Sequence, residues 1–255
     1  MLRYLMILLA WFLLTIAVGL PVLMVGWIRP SQKLMRLASR FFARTMLFIA
    51  GVRLVVEGNE AYLDGKSRIF VGNHQSAFDT PILIVALHGD IRFFAKRSLF
   101  RIPIFGRVLL RYGHVPVDRD QPRRAVGLMK EAITRHKQNS FSLAIFPEGT
   151  RSMDAKLLPF RQGAMKMCAR TGLPIVPFAI DGSLAIHRRG DKRVRSGSVR
   201  VKFGPAISPQ EAQRMSAAQL GERVHMWVSH FLSGCAGESP GPAHDRVACA
   251  GPSVD

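Results

Sequence analysis

A histidine and an aspartate five positions apart, His74 and Asp79, form a pair suited to acid–base chemistry. A carboxylate that accepts a hydrogen bond from one imidazole nitrogen fixes the tautomer, stabilises the imidazolium and leaves the other nitrogen free to take a proton. That proton can come from a substrate hydroxyl, so a serine or cysteine nucleophile is not required. In the alternative interpretation, the two side chains only cap a turn.

The pair lies between a predicted strand and a predicted helix. The apolar segment 69–71 precedes it, and the apolar segment 81–87, with a proline near the first turn, follows it. In α/β folds, ligands bind at the carboxyl ends of the strands, so catalytic residues are expected there. The sequence therefore predicts that His74 lies at such a strand end.

A second group of candidates follows another apolar strand. Residues 146–152 read Phe-Pro-Glu-Gly-Thr-Arg-Ser. Gly149 allows the backbone to turn and bring its amides near an anion, Thr150 adds a hydroxyl, and the planar fork of Arg151 suits phosphate. The segment lacks the Gly-Lys-Ser/Thr of a P-loop. It indicates a phosphate site, and the alternative is an ordinary loop.

Two more cations are candidates for the same anion. Lys96 and Arg119 each flank a predicted strand, which places both charges at strand ends. From such positions a cation can reach a bound anion.

The composition restricts the classes of partner. The chain of 255 residues has 36 Lys and Arg against 17 Asp and Glu, a formal charge of +19, and 48% hydrophobic residues. That apolar fraction excludes disorder for most of the chain, so the charge is a surface property that favours nucleic acid, anionic lipid or a phosphorylated substrate. The three cysteines are scattered without metal-ligand spacing, so we predict a reduced cytosolic setting and no metal site.

The first segment predicts a membrane helix. Residues 4–28 carry no charged side chain. At ~1.5 Å per residue they make a rod of roughly 38 Å, enough for a hydrocarbon core of about 30 Å. A break at residues 19–21 would instead give a re-entrant pair, and a cleaved signal peptide is the rival interpretation, although no small-residue cleavage pattern follows.

Residues 31–50 predict a basic amphipathic helix. Lys33, Arg36, Arg40 and Arg44 recur three and four positions apart, with phenylalanines and leucines between them. Such a helix can rest on anionic lipid, and positive charge after an apolar span indicates the cytoplasmic side. Alternatively, it packs on the domain.

After residue 51, strands alternate with helices, which predicts an α/β fold. We expect a largely parallel sheet flanked by helices, with the N-terminal membrane-associated helical element. The predicted division is 1–51 for membrane-anchoring helices, 52–233 for the α/β domain and 234–255 for a flexible tail. Predicted strands are 53–57, 67–71, 91–95, 114–117, 142–146, 175–180 and 199–203, and predicted helices are 80–88, 103–111, 122–137, 161–171 and 209–232.

Four ordered blocks within residues 68–180 resemble those of the glycerolipid acyltransferases. They are Asn73-His74 with Asp79; Lys96, Leu99, Pro103 and Gly106 ahead of Gly113 and Arg119; Phe146 to Ser152; and Leu173 to Pro177. The resemblance implies that His74 is the base and Asp79 its partner. It also implies that Lys96, Arg119 and the segment Glu148, Gly149, Thr150 and Arg151 hold the phosphate of the acceptor.

The resemblance further implies the reaction. The expected enzyme transfers a fatty acyl group from acyl-CoA or acyl carrier protein to the sn-2 hydroxyl of lysophosphatidic acid, giving phosphatidic acid, with no other cofactor. Its expected place is a bacterial inner membrane, among membrane lipids, with the catalytic domain on the cytoplasmic face. Other acceptors stay open: glycerol 3-phosphate, a lysophospholipid or a lyso-ornithine lipid. A non-catalytic binder of anionic lipid or nucleic acid is the alternative from another class, and we expect no nucleic-acid partner.

Overall fold

The structure is a computed structural model that describes residues 2–28, 31–88, 91–117 and 141–235. The helix predicted near residues 122–137, the candidate Arg119 and nearly all of the predicted tail lie outside the described residues.

One seven-stranded sheet forms the centre of the fold, in the order β1-β7-β6-β2-β5-β3-β4. Every predicted strand is confirmed, with bounds that differ by no more than two residues. The strands are β1 (Val52–Glu57), β2 (Ile69–Gly72), β3 (Ile91–Lys96), β4 (Val115–Val117), β5 (Ser142–Ile145), β6 (Ile175–Asp181) and β7 (Gly197–Phe203).

The sheet is largely parallel, as predicted. Neighbouring strands run parallel everywhere except between β6 and β7. The carboxyl ends of β2, β3, β4, β5 and β6 therefore meet at one edge of the sheet. Because β2 and β5 are direct neighbours, the loops that follow them start side by side.

Helices cover both faces of the sheet. They are α1 (Leu2–Ile28), α2 (Gln32–Ile49), α3 (Asp79–Ala86), α4 (Phe105–Tyr112), α5 (Gln162–Arg170), α6 (Ser183–Ile186), α7 (Pro209–Arg214) and α8 (Ala217–Cys235). Side chains alternate along β2, so Phe70 joins a core with α2 and α3, whereas Ile69 and Val71 join a second core with α5 and α8.

The single helix predicted over 209–232 is wrong, because the structure has two. The Ser216 hydroxyl accepts from the backbone N–H of Gln219 at 3.2 Å, and the Gln219 side-chain oxygen accepts from the Ser216 N–H at 2.9 Å. This reciprocal pair is a capping box, which starts α8 anew. Met215 before it has extended backbone angles, so α7 ends there.

Helix α1 is continuous through Pro21, so the broken re-entrant pair is not observed. Residues Arg3–Trp27 are long and apolar enough, by length and composition, to cross a membrane. One side of the helix packs on the domain, with the Trp11 ring edge-on to Phe105 at 5.0 Å between centroids. Its other side is exposed, and Trp27 is 87% exposed.

Two arginines hold the ends of α1 against other elements. The Arg3 guanidinium donates to the Ala50 carbonyl at 2.8 Å, just after α2. The Arg111 guanidinium, near the end of α4, donates to the carbonyl of Gly26. Each cation satisfies a carbonyl at a helix C-terminus, where positive charge is favoured.

Helix α2 has both a packed face and an exposed face. Met35, Ala43, Met46 and Leu47 are buried. The residues on the exposed side recur every three or four positions and combine basic, aromatic and aliphatic side chains: Lys33, Leu37, Phe41, Arg44 and Phe48. The two interpretations made from the sequence, contact with anionic lipid and packing on the domain, are therefore compatible in one helix.

Candidate active site

The predicted base and its predicted partner are in direct contact. His74 Nδ1 lies 2.7 Å from Asp79 Oδ2. The same oxygen accepts from the backbone N–H groups of Gln75 at 2.7 Å and Ser76 at 2.8 Å. Asp79 is fully buried at the start of α3, and the turn between β2 and α3 wraps around its carboxylate.

This contact decides which imidazole nitrogen can act as a base. An ionised carboxylate only accepts hydrogen bonds, so Nδ1 must be the donor in the His74–Asp79 contact. In the neutral ring Nε2 is then the nitrogen with a free lone pair. The arrangement is the one that general-base chemistry requires.

Neighbouring residues hold the imidazole and its backbone. The His74 ring stacks on Phe146, with centroids 4.1 Å apart and planes at 16°. The His74 carbonyl accepts from the backbone N–H of Ser152 at 2.9 Å. His74 is 8% exposed, so only a small part of the ring is open to a substrate. The contacts of Phe146 and Ser152 therefore hold the loop after β2 against the loop after β5.

Glu148 has a place that differs from its predicted one. Its Oε1 accepts from the His74 backbone N–H at 2.7 Å, and its Oε2 accepts from the Leu158 N–H at 3.2 Å. Burial raises the pKa of Glu148 to about 7, although the two hydrogen bonds lower it. The charge of Asp79 acts in the same direction as burial. A buried carboxyl that accepts from two backbone amides positions the histidine loop, which differs from the phosphate contact that the resemblance implied.

Two residues before the histidine connect β2 to β6. The Asn73 amide donates to the Ile180 carbonyl at 2.8 Å and accepts from the Ile180 N–H at 2.8 Å. A Cβ atom on Gly72 would lie 2.1 Å from the Phe178 carbonyl oxygen, so only glycine allows this approach. The sequence motif implies no role for Asn73, and the structure shows that its amide joins β2 to β6.

The predicted phosphate loop lies beside the histidine. Gly149 has a φ of +70° and its N–H donates to the Phe146 carbonyl at 3.1 Å, which closes the turn. Thr150 and Arg151 follow, both half-buried. Burial and the charge of Arg189 lower the pKa of Arg151, and Asp79 opposes them. Arg151 and Asp79 are thus close enough to interact electrostatically.

The other predicted cations are only partly placed. Lys96 is the last residue of β3 and is exposed at the same edge of the sheet as His74. Its strand is separated from β2 by β5. Arg119 lies outside the described residues.

Within residues 2–28, 31–88, 91–117 and 141–235, no three His, Cys, Asp or Glu side chains come together as a metal site.

One further basic residue at this edge, Arg189, was not predicted from the sequence. Arg189 Nη1 donates to the Thr150 hydroxyl at 3.1 Å, across 39 positions of the chain. It belongs to the connection between α6 and β7, which lies outside the four sequence blocks.

Comparison with known proteins gives consistent results. The family model described as Acyltransferase matches residues 53–181. The 1-acyl-sn-glycerol-3-phosphate acyltransferase of Limnanthes douglasii is 31% identical over 191 residues, which are 74% of this chain and 67% of the relative. The enzyme of the same name from Pseudomonas aeruginosa is 28% identical over 207 residues, 81% of this chain and 77% of the relative.

A solved structure shares the fold. It is the crystal structure of the 1-acyl-sn-glycerophosphate (LPA) acyltransferase PlsC from Thermotoga maritima, with a TM-score of 0.81 and 25% identity over 94% of this chain and 99% of that one. The family match runs from β1 to the end of β6 and includes His74, Asp79 and the phosphate loop. The resemblance drawn from the sequence is therefore confirmed, and this chain is an enzyme of the acyltransferase family.

Proposed function

We propose that the protein transfers a fatty acyl group from an acyl thioester to the sn-2 hydroxyl of 1-acylglycerol 3-phosphate, which gives phosphatidic acid. The observation that carries the proposal is the 2.7 Å contact between His74 and the buried Asp79, beside a loop with a half-buried arginine. The names of the relatives support the same acceptor.

In the proposed reaction, His74 Nε2 removes the proton of the sn-2 hydroxyl while the hydroxyl oxygen attacks the thioester carbonyl. The tetrahedral intermediate then expels the thiolate, and the imidazolium transfers to it the proton that came from the hydroxyl. A thioester is already activated, so an acyl-enzyme is unnecessary. Asp79 stabilises the imidazolium at 2.7 Å, and general-base help of this kind contributes roughly 10² to 10⁴ in rate.

We assign the phosphate of the acceptor to the loop after β5. Gly149, Thr150 and Arg151 lie three to five positions after Phe146, whose ring stacks on His74, and the Ser152 N–H donates to the His74 carbonyl. An anion held there stays near the base, and fixing the acceptor in this way lowers the entropic cost of the reaction. We propose that Lys96 and Arg119 also contact the phosphate of the acceptor.

We also propose the location and the donor. The exposed apolar side of α1 and the exposed basic and aromatic side of α2 suit contact with anionic membrane lipids. By the positive-inside rule, the site then faces the cytoplasm at a bacterial inner membrane. Acyl-CoA or acyl carrier protein supplies the acyl group.

The test is an acceptor screen with the purified protein in liposomes, one acyl-CoA, and detection of the released thiol. We expect release to depend on lysophosphatidic acid. We expect His74→Ala to lower turnover roughly 10²- to 10⁴-fold while vesicle binding is unchanged. His230→Ala is the control, since His230 is exposed on α8. Near-normal turnover by the His74→Ala enzyme would remove the proposed base.

A further inference from the structure

The connection between α6 and β7 brings a second group of cations to the site. Its single acidic residue, Asp191, accepts from Arg193 Nε at 3.2 Å and lies 3.5 Å from Arg195 Nη1. Two cations of the connection therefore share one carboxylate, and the connection keeps a net positive charge. Its basic residues are Arg188, Arg189, Lys192, Arg193 and Arg195.

This connection is fixed against the catalytic loop. The Ser76 hydroxyl donates to the His187 carbonyl at 2.9 Å. The His187 ring lies 6.1 Å from the Tyr4 ring with planes at 11°, and its Nε2 lies 3.1 Å from the Asp191 carbonyl oxygen. Arg189 follows two positions later, so its backbone position is set by the turn that holds Asp79 and His74.

The Arg189 side chain turns toward the phosphate loop. Its Nη1 donates to the Thr150 hydroxyl at 3.1 Å, and its charge lowers the pKa of the neighbouring Arg151. In the part of the chain that the structure describes, neither arginine forms an ion pair with a carboxylate. Two guanidiniums held near each other without an anion repel, and binding of an anion between them relieves that repulsion.

We propose that Arg189 determines specificity for the acceptor: with Arg151 it forms a guanidinium pair that binds a dianionic phosphomonoester and disfavours phosphodiesters. This inference rests on the proposed function and narrows its substrate class. A terminal phosphate carries about −1.5 to −2 charges at pH 7 and offers three acceptor oxygens. A phosphodiester carries one charge and has a substituent on one of those oxygens, so it cannot engage both forks equally.

The Thr150 hydroxyl fits the same role. Because it accepts from Arg189, its own proton is free to point at a phosphate oxygen. The pair would thus select lysophosphatidic acid over lysophospholipids with an alcohol on the phosphate, which the four sequence blocks leave open.

The experiment compares two acceptors that differ by one charge: lysophosphatidic acid and its phosphate monomethyl ester. KM and kcat are measured by acceptor-dependent thiol release in liposomes. For Arg189→Gln we expect KM for lysophosphatidic acid to rise roughly 10- to 100-fold, as loss of a hydrogen bond between charged groups gives. KM for the ester and kcat should change less than about threefold, because an exposed arginine near a single charge contributes little. Arg189→Lys should recover part of the preference.

Arg188→Gln is the matched control, because Arg188 is adjacent to Arg189 in the chain, is exposed like Arg189 and carries the same charge. We expect it to leave the ratio of the two KM values unchanged. An unchanged ratio in Arg189→Gln, or an equal rise in both KM values, refutes the inference alone. Absence of thiol release with either acceptor in the wild-type enzyme refutes the proposed function and this inference together.

Discussion

Replacing Asp79 by asparagine separates the charge of this residue from its geometry. Three N–H groups converge on Oδ2, from the His74 ring and from the backbones of Gln75 and Ser76. These donors select the carbonyl oxygen of the asparagine for the same place. The amide nitrogen then occupies the position of Oδ1, which is buried and has no hydrogen-bond partner among the described residues. The variant therefore keeps the turn and loses the negative charge, while its buried amide N–H group gains no acceptor.

The size of the expected effect follows from Coulomb's law. With about 4 Å between the imidazolium and carboxylate charges and an effective dielectric constant of about 20, the attraction is about 4 kcal/mol. If about half to all of the positive charge has developed on the ring in the transition state, ~2–4 kcal/mol is lost. Since each 1.36 kcal/mol is about tenfold in rate, kcat should fall roughly 30- to 1,000-fold.

The assay measures kcat by thiol release in liposomes and stability by thermal unfolding of the same samples. We expect the unfolding midpoint of Asp79→Asn to fall by roughly 2–12 °C, because the three hydrogen bonds persist and only the unpaired amide, at about 1–3 kcal/mol, opposes folding. Asp79→Ala is the comparison, since it removes those bonds and should also lower the midpoint. Wild-type kcat in a folded Asp79→Asn enzyme would refute the proposed role and support a turn-capping pair.

Three other substitutions test the surroundings of this pair. Asn73→Ala leaves the Ile180 N–H and carbonyl unpaired, so urea denaturation should show a loss of about 2–5 kcal/mol; a loss below about 1 kcal/mol contradicts the bridging role. Arg151→Ala should raise the acceptor KM roughly 10- to 100-fold in the thiol assay, whereas exposed Arg170→Ala should not; equal effects would indicate only long-range charge. Glu148→Gln offers one acceptor oxygen to two backbone amides and should cost about 1–3 kcal/mol of stability. Because the Glu148 pKa rises from 4.5 to about 7 on folding, the native state holds the extra proton in that window, so stability should fall with rising pH from 4.5 to about 7. Denaturation at several pH values should show a weaker slope in Glu148→Gln, and identical slopes would contradict this assignment.

The sequence predicted the elements well because their signals are local. Apolar runs bounded by polar turns identified the strands, and the alternation with helices identified the parallel sheet. The antiparallel pairing of β7 with β6 was not predicted, since strand direction depends on the path of the intervening chain. The break between α7 and α8 has a readable signal, because Ser216 and Gln219 have the spacing of a capping box.

The site was predicted in part for the same reason. His74 and Asp79 are five positions apart, so their contact follows from one turn. The place of Glu148 depends on a bond to a backbone amide 74 positions away, and that of Arg189 on a hydroxyl 39 positions away. Neither pairing leaves a pattern in a single sequence, because the residue type alone does not tell a ligand-binding side chain from one that holds a neighbouring loop.

The arginines at the ends of α1 have a mechanical consequence. Arg3 joins the first turn of the helix to the end of α2, and Arg111 joins its last turn to α4. Because the Tyr4 ring also contacts the His187 ring, we expect α1 to change its orientation together with this edge of the sheet. A bilayer that sets the tilt of α1 would then also set the depth of the active site relative to the membrane surface.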